Sequence, residues 1–280
     1  SLMINYFQNY FELKVLKLTD IKLHEATEAV RRTRVFDRIS EAKYINNPII
    51  VGRHDNELIL LDGANRYSSI KSLGCKLIIA QIINYKSHKT VLDVWNHLVY
   101  GFSLDAVKEF CKKNKISFQH IAFSEGKKIL DKNFHHILVT DTSGTDTILI
   151  DLSKNFKKCL EQLSALGELY FTKYNFDRSE SEIKITELRK FTRKKGVLFV
   201  YPRFQKSHIV RIAKNNLRVP AGITRHLIHN RVLHVRYEVK NLKEVGNLEK
   251  KNADFLKEIT AKIDDNKVRQ YNESVIIFDE

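Results

Sequence analysis

The residues best suited to chemistry by type and spacing are Asp62, Gly63, Ala64, Asn65 and Arg66, which follow the apolar run Leu58-Ile59-Leu60-Leu61 and precede a helical stretch. A strand that passes through Asp-Gly straight into a helix leaves the first backbone N–H groups of that helix without partners. These groups and the positive end of the helix converge on one point, and a phosphate satisfies both. Gly63 takes away the side chain that would hold a ligand off the backbone. Arg66, in the first turn, adds a fork of donors matched to phosphate oxygens. Asp-Gly alone is ordinary turn punctuation, and a phosphate site is favoured by the whole order: strand, Asp-Gly-x-x-Arg-Tyr, helix, Gly74, strand. The sequence has no G-x-x-x-x-G-K-[ST] loop, no G-x-G-x-x-G turn and no His-Arg-Asp kinase triplet. Cys75, Cys111 and Cys159 form no C-x-x-C pair, and the histidines, His135-His136 included, lack metal-ligand spacing.

The elements that must position these residues are legible over the first hundred positions. Val15 to Leu18 alternates as a short strand, and Thr19-Asp20 starts a turn. Glu25 to Arg34 reads as a short helix broken by Asn46-Asn47-Pro48, after which Ile49-Ile50-Val51 is a strand. His54-Asp55-Asn56 is turn chemistry, so Leu58 to Leu61 should pair back as a hairpin. Asn65 to Leu73 is helical with Gly74 as its stop, and Lys76 to Ile83 returns as a strand. Downstream, helical spacing marks Leu104 to Asn114, Ser153 to Leu169, Glu182 to Lys195, Gln205 to Lys214 and Leu248 to Ile263. Strands are expected at His136–Val139 and Thr147–Asp151 as a hairpin, at Val197–Tyr201, and at Val275–Phe278. A further hairpin is expected from Thr224–His229 and Val232–Val239. The pattern predicts a mixed α/β (α+β) fold with several short sheets.

The chain has 280 residues, 43% of them hydrophobic, enough for a sizeable core and too apolar for a disordered chain. No apolar run approaches the roughly 18–20 residues of a membrane span. The first residues show neither a basic n-region nor a cleavage site, so the expectation is a soluble cytoplasmic protein with no membrane partner. The net charge of +15 is unevenly placed. Residues 1–100 hold 14 basic and 10 acidic side chains, whereas Leu188 to Tyr237 holds 13 Lys/Arg and no Asp or Glu. A stretch of one sign that long faces water or an anion, nucleic acid among them.

The block Asp62-Gly63-Ala64-Asn65-Arg66-Tyr67, with Gly74 after it, resembles the nucleotide-binding signature of the ParB/sulfiredoxin superfamily. Leu18-Thr19-Asp20-Ile21-Lys22-Leu23-His24-Glu25 is similar to that family's early strand and its acidic residue. Far downstream, Val219-Pro220-Ala221-Gly222-Ile223-Thr224-Arg225-His226 resembles the P-x-G-x-T-R segment of the free L-serine kinases, and Trp95-Asn96-His97 matches a tryptophan-centred segment there. The likeness runs from about residue 15 to 240.

That resemblance implies ATP, with ADP as an alternative donor, phosphorylating free L-serine to O-phospho-L-serine. One branch of the family serves siderophore biosynthesis through diaminopropionate. It implies Glu25 as the general base and Asp62 as a second catalytic group and Mg²⁺ ligand. Asp62, Gly63, Ala64, Asn65 and Arg66 would bind the nucleotide, and Trp95, Thr224, Arg225 and His226 the serine. The family commonly has histidine where this chain has Asn65, which can donate a hydrogen bond but cannot change charge. It further implies a nucleotide-binding domain over residues 1–100 and a C-terminal α/β region, 101–280, packed over the site. The alternative is a ParB-like DNA-binding regulator acting through the 188–237 stretch, although no helix-turn-helix is evident in that half. A sulfiredoxin-type reductase would need a cysteine where Ala64 and Asn65 stand.

Overall fold

Three runs rich in isoleucine and leucine lie close together in the first hundred residues, and each is a strand buried on both faces. The computed structural model describes residues 9–180 and 195–273. In chain order the first elements are β1 (Glu12–Lys17), β2 (Ile21–Lys22), helix α1 (Ala29–Ala42), β3 (Tyr44–Ile45), β4 (Ile49–His54), β5 (Glu57–Asp62), α2 (Ala64–Ser72) and β6 (Leu77–Asn84). Five strands form one sheet in the order β1-β6-β4-β5-β2. β4 and β5 are the expected hairpin, turned at Asp55 with a positive φ that aspartate tolerates. β4 and β6 are parallel, with α2 on the crossover between β5 and β6. Ile49, Ile50, Val51, Ile59, Leu77 and Ile79 are fully enclosed, as expected for strands covered on both faces.

The second half continues with β7 (Val91–Val94), β8 (Asn96–Tyr100), α3 (Leu104–Lys113), β9 (Phe118–His120), α4 (Phe123–Lys132), β10 (His136–Asp141), β11 (Thr147–Asp151) and α5 (Phe156–Glu168). It closes with β12 (Phe176–Ser179), β13 (Gly196–Val200), α6 (Lys206–Lys214), β14 (Thr224–Leu227), β15 (Tyr237–Glu238) and α7 (Leu248–Asp264). A six-stranded antiparallel sheet, β12-β8-β13-β10-β11-β9, separates two apolar layers. Ile137, Val139 and Phe199 face α3, α5 and α6, while the alternate Leu138, Leu149 and Leu198 face Leu130 of α4.

The end of the chain returns to the first sheet. β15 pairs with β3, and Phe255 of α7 joins the same core as Val15, Ile49 and Leu77. Asn252 accepts from the Val15 amide at 2.9 Å and donates to its carbonyl at 3.0 Å, seating α7 along β1.

Two sequence expectations need correction. Glu25 does not open a helix: it lies in extended backbone bridged to Val219, and α1 begins only at Ala29 and runs on to Ala42. The Ala26 amide donates to the Val219 carbonyl and the Val219 amide to the His24 carbonyl, so a distant segment takes the groups a helix would have used. Thr224–His229 and Val232–Val239 do not pair with each other. β14 pairs with β7, and β15 with β3, because each finds an open edge elsewhere. The expected helix Glu182–Lys195, apart from its last residue, and the expected strand Val275–Phe278 lie outside the described residues. From the sequence no element is expected at strands β3, β7, β8, β9 and β12 or at helix α4. No helix among the described residues is long and apolar enough to cross a membrane.

Candidate active site

Glu25 is held by a loop almost two hundred residues away. Residues 218–224 run beside residues 23–26, tied by the Glu25–Val219 bridge and by Arg218, which donates to the Leu23 carbonyl at 3.0 Å. Gly222 turns this loop at φ +71°, and the Arg178 guanidinium fills the space a Cβ would need. The Gly222 amide donates to Glu25 Oε1 at 2.7 Å, and Thr224 Oγ1 lies 2.5 Å from Oε2. Burial pushes the Glu25 carboxyl up to about 7, the Asp62 charge adds to this, and the bonds from Thr224 and Gly222 and the charge of Arg178 oppose it. A carboxyl set there is a base matched to neutral pH.

The Gly222 peptide is gripped on its other side as well. His97 Nε2 donates to the Gly222 carbonyl at 2.8 Å, which leaves Nδ1 to accept from the Tyr170 hydroxyl at 2.6 Å. Tyr201 then donates to Tyr170, also at 2.6 Å. Burial drives the His97 pKa down to about 4, so the ring stays neutral and the chain of bonds keeps its direction. Arg178 is fixed by Glu28 at 2.9 Å.

The phosphate-type site forms at the end of β5. Gly63 starts α2 at φ +101°, and a Cβ there would meet the Arg66 guanidinium and Ile49 at 2.8 Å. Asp62 is flanked by Arg66, 4.0 Å away, and by Arg231, which pairs with its Oδ2. Burial alone would raise the Asp62 pKa, but the two arginines outweigh it and hold the carboxyl below its usual range. Arg231 is presented by Gln81 of β6, whose amide donates to the Asn230 carbonyl and accepts from the Val232 amide, both at 2.9 Å. Asn65 Oδ1 and Arg66 Nε are buried without a hydrogen-bond partner. Arg66 Nε is a donor beside a helix start, which an anion oxygen would satisfy, whereas Asn65 Oδ1 only accepts and calls for a donor on the ligand. A divalent cation fits here only in part. Among the described residues no group of three or more His, Cys, Asp or Glu could hold a metal, so a Mg²⁺ at Asp62 would need phosphate oxygens as further ligands.

The four residues expected around an amino acid divide between the two faces of the β7–β14 ribbon. Thr224 and His226 point inward, with the His226 ring against Tyr85 (Nε2 to hydroxyl, 2.9 Å). Arg225 lies on the other face, its guanidinium 4.3 Å over the Trp95 ring and bonded to Glu180 at 2.9 Å. Sequence reading missed Arg231, His97, Arg178, Gln81 and His24. The signals available were the family-like blocks that contain His24 and His97, and an arginine just after the turn residues His229-Asn230. The described cations of the basic stretch are distributed over separate contacts. Arg203 pairs with Asp131, Arg211 and Arg236 lie over the rings of Phe156 and Tyr44, and Lys206 donates to the Ser87 carbonyl. This distribution gives the nucleic-acid reading no support.

No family model matches the chain. Among curated proteins, the ATP-dependent L-serine kinase SbnI of Staphylococcus aureus is 32% identical over 88 residues, 31% of this chain and 34% of that protein. The match therefore spans about a third of that relative's length. The ATP-dependent L-serine kinase of Staphylothermus marinus is 24% identical over 214 residues, 73% of this chain and 81% of that protein. Among solved structures, C-terminally truncated SbnI from S. aureus superposes with a TM-score of 0.71 at 20% identity, covering 92% of this chain and 99% of that one. A free serine kinase in complex with AMP superposes with a TM-score of 0.67 at 16% identity, covering 82% and 93%. The chain has the mixed α/β fold of these structures.

Proposed function

We propose that this chain, sharing the fold of the free serine kinases, is itself an ATP-dependent L-serine kinase that yields O-phospho-L-serine. The observation that carries the reading is one base poised near neutrality, Glu25, beside one phosphate-type site, Asp62 with Arg66, Arg231 and the start of α2. The serine hydroxyl oxygen bonds to the γ-phosphorus, the bridge to the β-phosphate breaks, and ADP leaves. Glu25 takes the hydroxyl proton as that bond forms. Asp62, Gly63, Ala64, Asn65 and Arg66 bind the nucleotide, with Arg231 as a second cation for phosphate charge that increases in the transition state. Asp62 would hold Mg²⁺, which neutralises phosphate charge when bound. For serine, Thr224 and His226 lie on the inward face of the ribbon with Glu25, whereas Arg225 and Trp95 lie on its other face and are assigned to the substrate by the resemblance alone. We assign residues 1–100 to the nucleotide-binding part and 101–280 to the part that completes the serine side.

The test incubates the purified protein with L-serine, Mg²⁺ and either ATP or ADP, and follows O-phosphoserine by mass spectrometry. Product with ATP is expected. Product with ADP alone would reassign the donor, and no product with either would overturn the kinase reading.

A further inference from the structure

Thr224 and His24 make a contact with Glu25 that serine binding does not require. His24 is buried, with Nδ1 2.7 Å from the Leu60 carbonyl and Nε2 3.0 Å from Thr224 Oγ1. A carbonyl only accepts, so Nδ1 carries the hydrogen and the neutral ring offers a lone pair at Nε2. Burial pushes the His24 pKa down to about 4, and Arg218 nearby adds to this, so the ring is neutral at physiological pH. Thr224 therefore has one hydrogen and two acceptors competing for it, His24 Nε2 and Glu25 Oε2.

With the His24 ring neutral, one placement of the protons satisfies every group. With a proton on Glu25 Oε2, Glu25 donates to Thr224, Thr224 donates to His24, and His24 donates to Leu60. With Glu25 ionised, Thr224 must turn its hydrogen to the carboxylate, and His24 Nε2 is left facing an oxygen with no hydrogen between them. Oε1 has no such freedom, because the Gly222 N–H can only donate. Oε2 is thus the oxygen that can receive and hold a proton without breaking a bond.

We propose that Thr224 and His24 are positioning residues for Glu25: the Thr224 hydroxyl reverses between Glu25 Oε2 and His24 Nε2 as Glu25 gains and loses the proton of the substrate hydroxyl. This rests on the kinase reading for the origin of the proton, but not for the relay itself. The other groups bearing on Glu25 are the His24 ring 3.8 Å away, the Asp62 charge from β5, the Arg178 charge from β12 and the Gly222 amide. None of these can both donate to and accept from Oε2.

The two partners should act in opposite directions on the acid limb of kcat/KM for serine, which reports Glu25. Thr224→Val removes a donor to the carboxylate, so the limb should move up by about one pH unit, with Thr224→Ser restoring it. In His24→Asn the amide nitrogen takes the place of Nδ1 and the acceptor at Nε2 is gone. The protonated form of Glu25 loses support, and the limb should move down by about half a unit. Shifts of the same sign, or a raised serine KM with a stationary limb in Thr224→Val, would overturn the relay. Infrared and NMR titrations of the unmodified protein do not depend on activity. The Glu25 carboxyl band, assigned by its loss in Glu25→Gln, should titrate near pH 7 while the His24 ring stays neutral. Protonation of His24 above pH 6 would overturn the proposal even if serine proves not to be the substrate.

Discussion

At the scale of the residue, Glu25 meets two demands that pull against each other. A base must be ionised part of the time, yet its side chain is only 19% exposed and burial disfavours the charge. Glu25→Gln keeps the size and leaves no base, so kcat should fall about 10²–10⁴-fold while nucleotide affinity, read by calorimetry, is unchanged. The same change has a signature in stability. The folded-state pKa is about 7 against an ordinary 4.5, so the folded chain binds this proton more tightly than the unfolded one. That contribution is present in full below the unfolded value and is lost as pH rises through the folded one. Glutamine cannot ionise, so the stability of Glu25→Gln relative to wild type should grow by about 3 kcal/mol between pH 4.5 and 8. Denaturant midpoints across that range would show it, and a flat difference would count against burial as the cause.

At the scale of the element, the loop 218–224 matters more than any strand, since it brings Gly222 and Thr224 to Glu25. It has no regular structure of its own until β14, and it is fixed by the hydrogen-bond chain from Tyr201 through Tyr170 and His97 to the Gly222 carbonyl. Tyr170→Phe removes the donor to His97 Nδ1 and strands the Tyr201 hydroxyl, all within a buried layer. The expected cost is about 1–3 kcal/mol in stability. Catalysis should suffer through kcat, since the loop orients Glu25, while nucleotide affinity at the Asp62 site stays the same. A loss of nucleotide affinity equal to the loss of kcat would mean that the loop and the phosphate site are not separable.

At the scale of the whole molecule, the first sheet is finished by the last helix. Phe255 is 2% exposed, with its ring 5.0 Å from Tyr237 in the core that also holds Val15 and Leu77. Truncating it to alanine should cost about 3–5 kcal/mol. Because that core joins residues near both ends of the chain, both halves should unfold in one transition that shifts to lower denaturant with an unchanged slope. A separate early transition confined to the C-terminal segment would show that α7 is an appendage rather than part of the core.

The local elements around the phosphate-type site were legible in the sequence. Ile49–Val51, Leu58–Leu61 and Lys76–Ile83 declare themselves by predominantly apolar runs between turn residues, and Gly63 and Gly74 bracket α2 by conformations other residues avoid. The Asp62–Arg66 block could therefore be placed at a strand-to-helix junction from its neighbours alone. The base could not be placed in the same way. Glu25 looked like a helix start because acidic residues favour that position, and only the Val219 segment holds it extended. β3, β14 and β15 are two to four residues long, too short for any periodicity, and their partners lie far away in sequence. Arg231 acquires its place beside Asp62 through Gln81, about 150 positions earlier. Backbone pairing between distant short segments is decided by which donors and acceptors remain open once the large sheets have formed, and that information exists only in the folded chain.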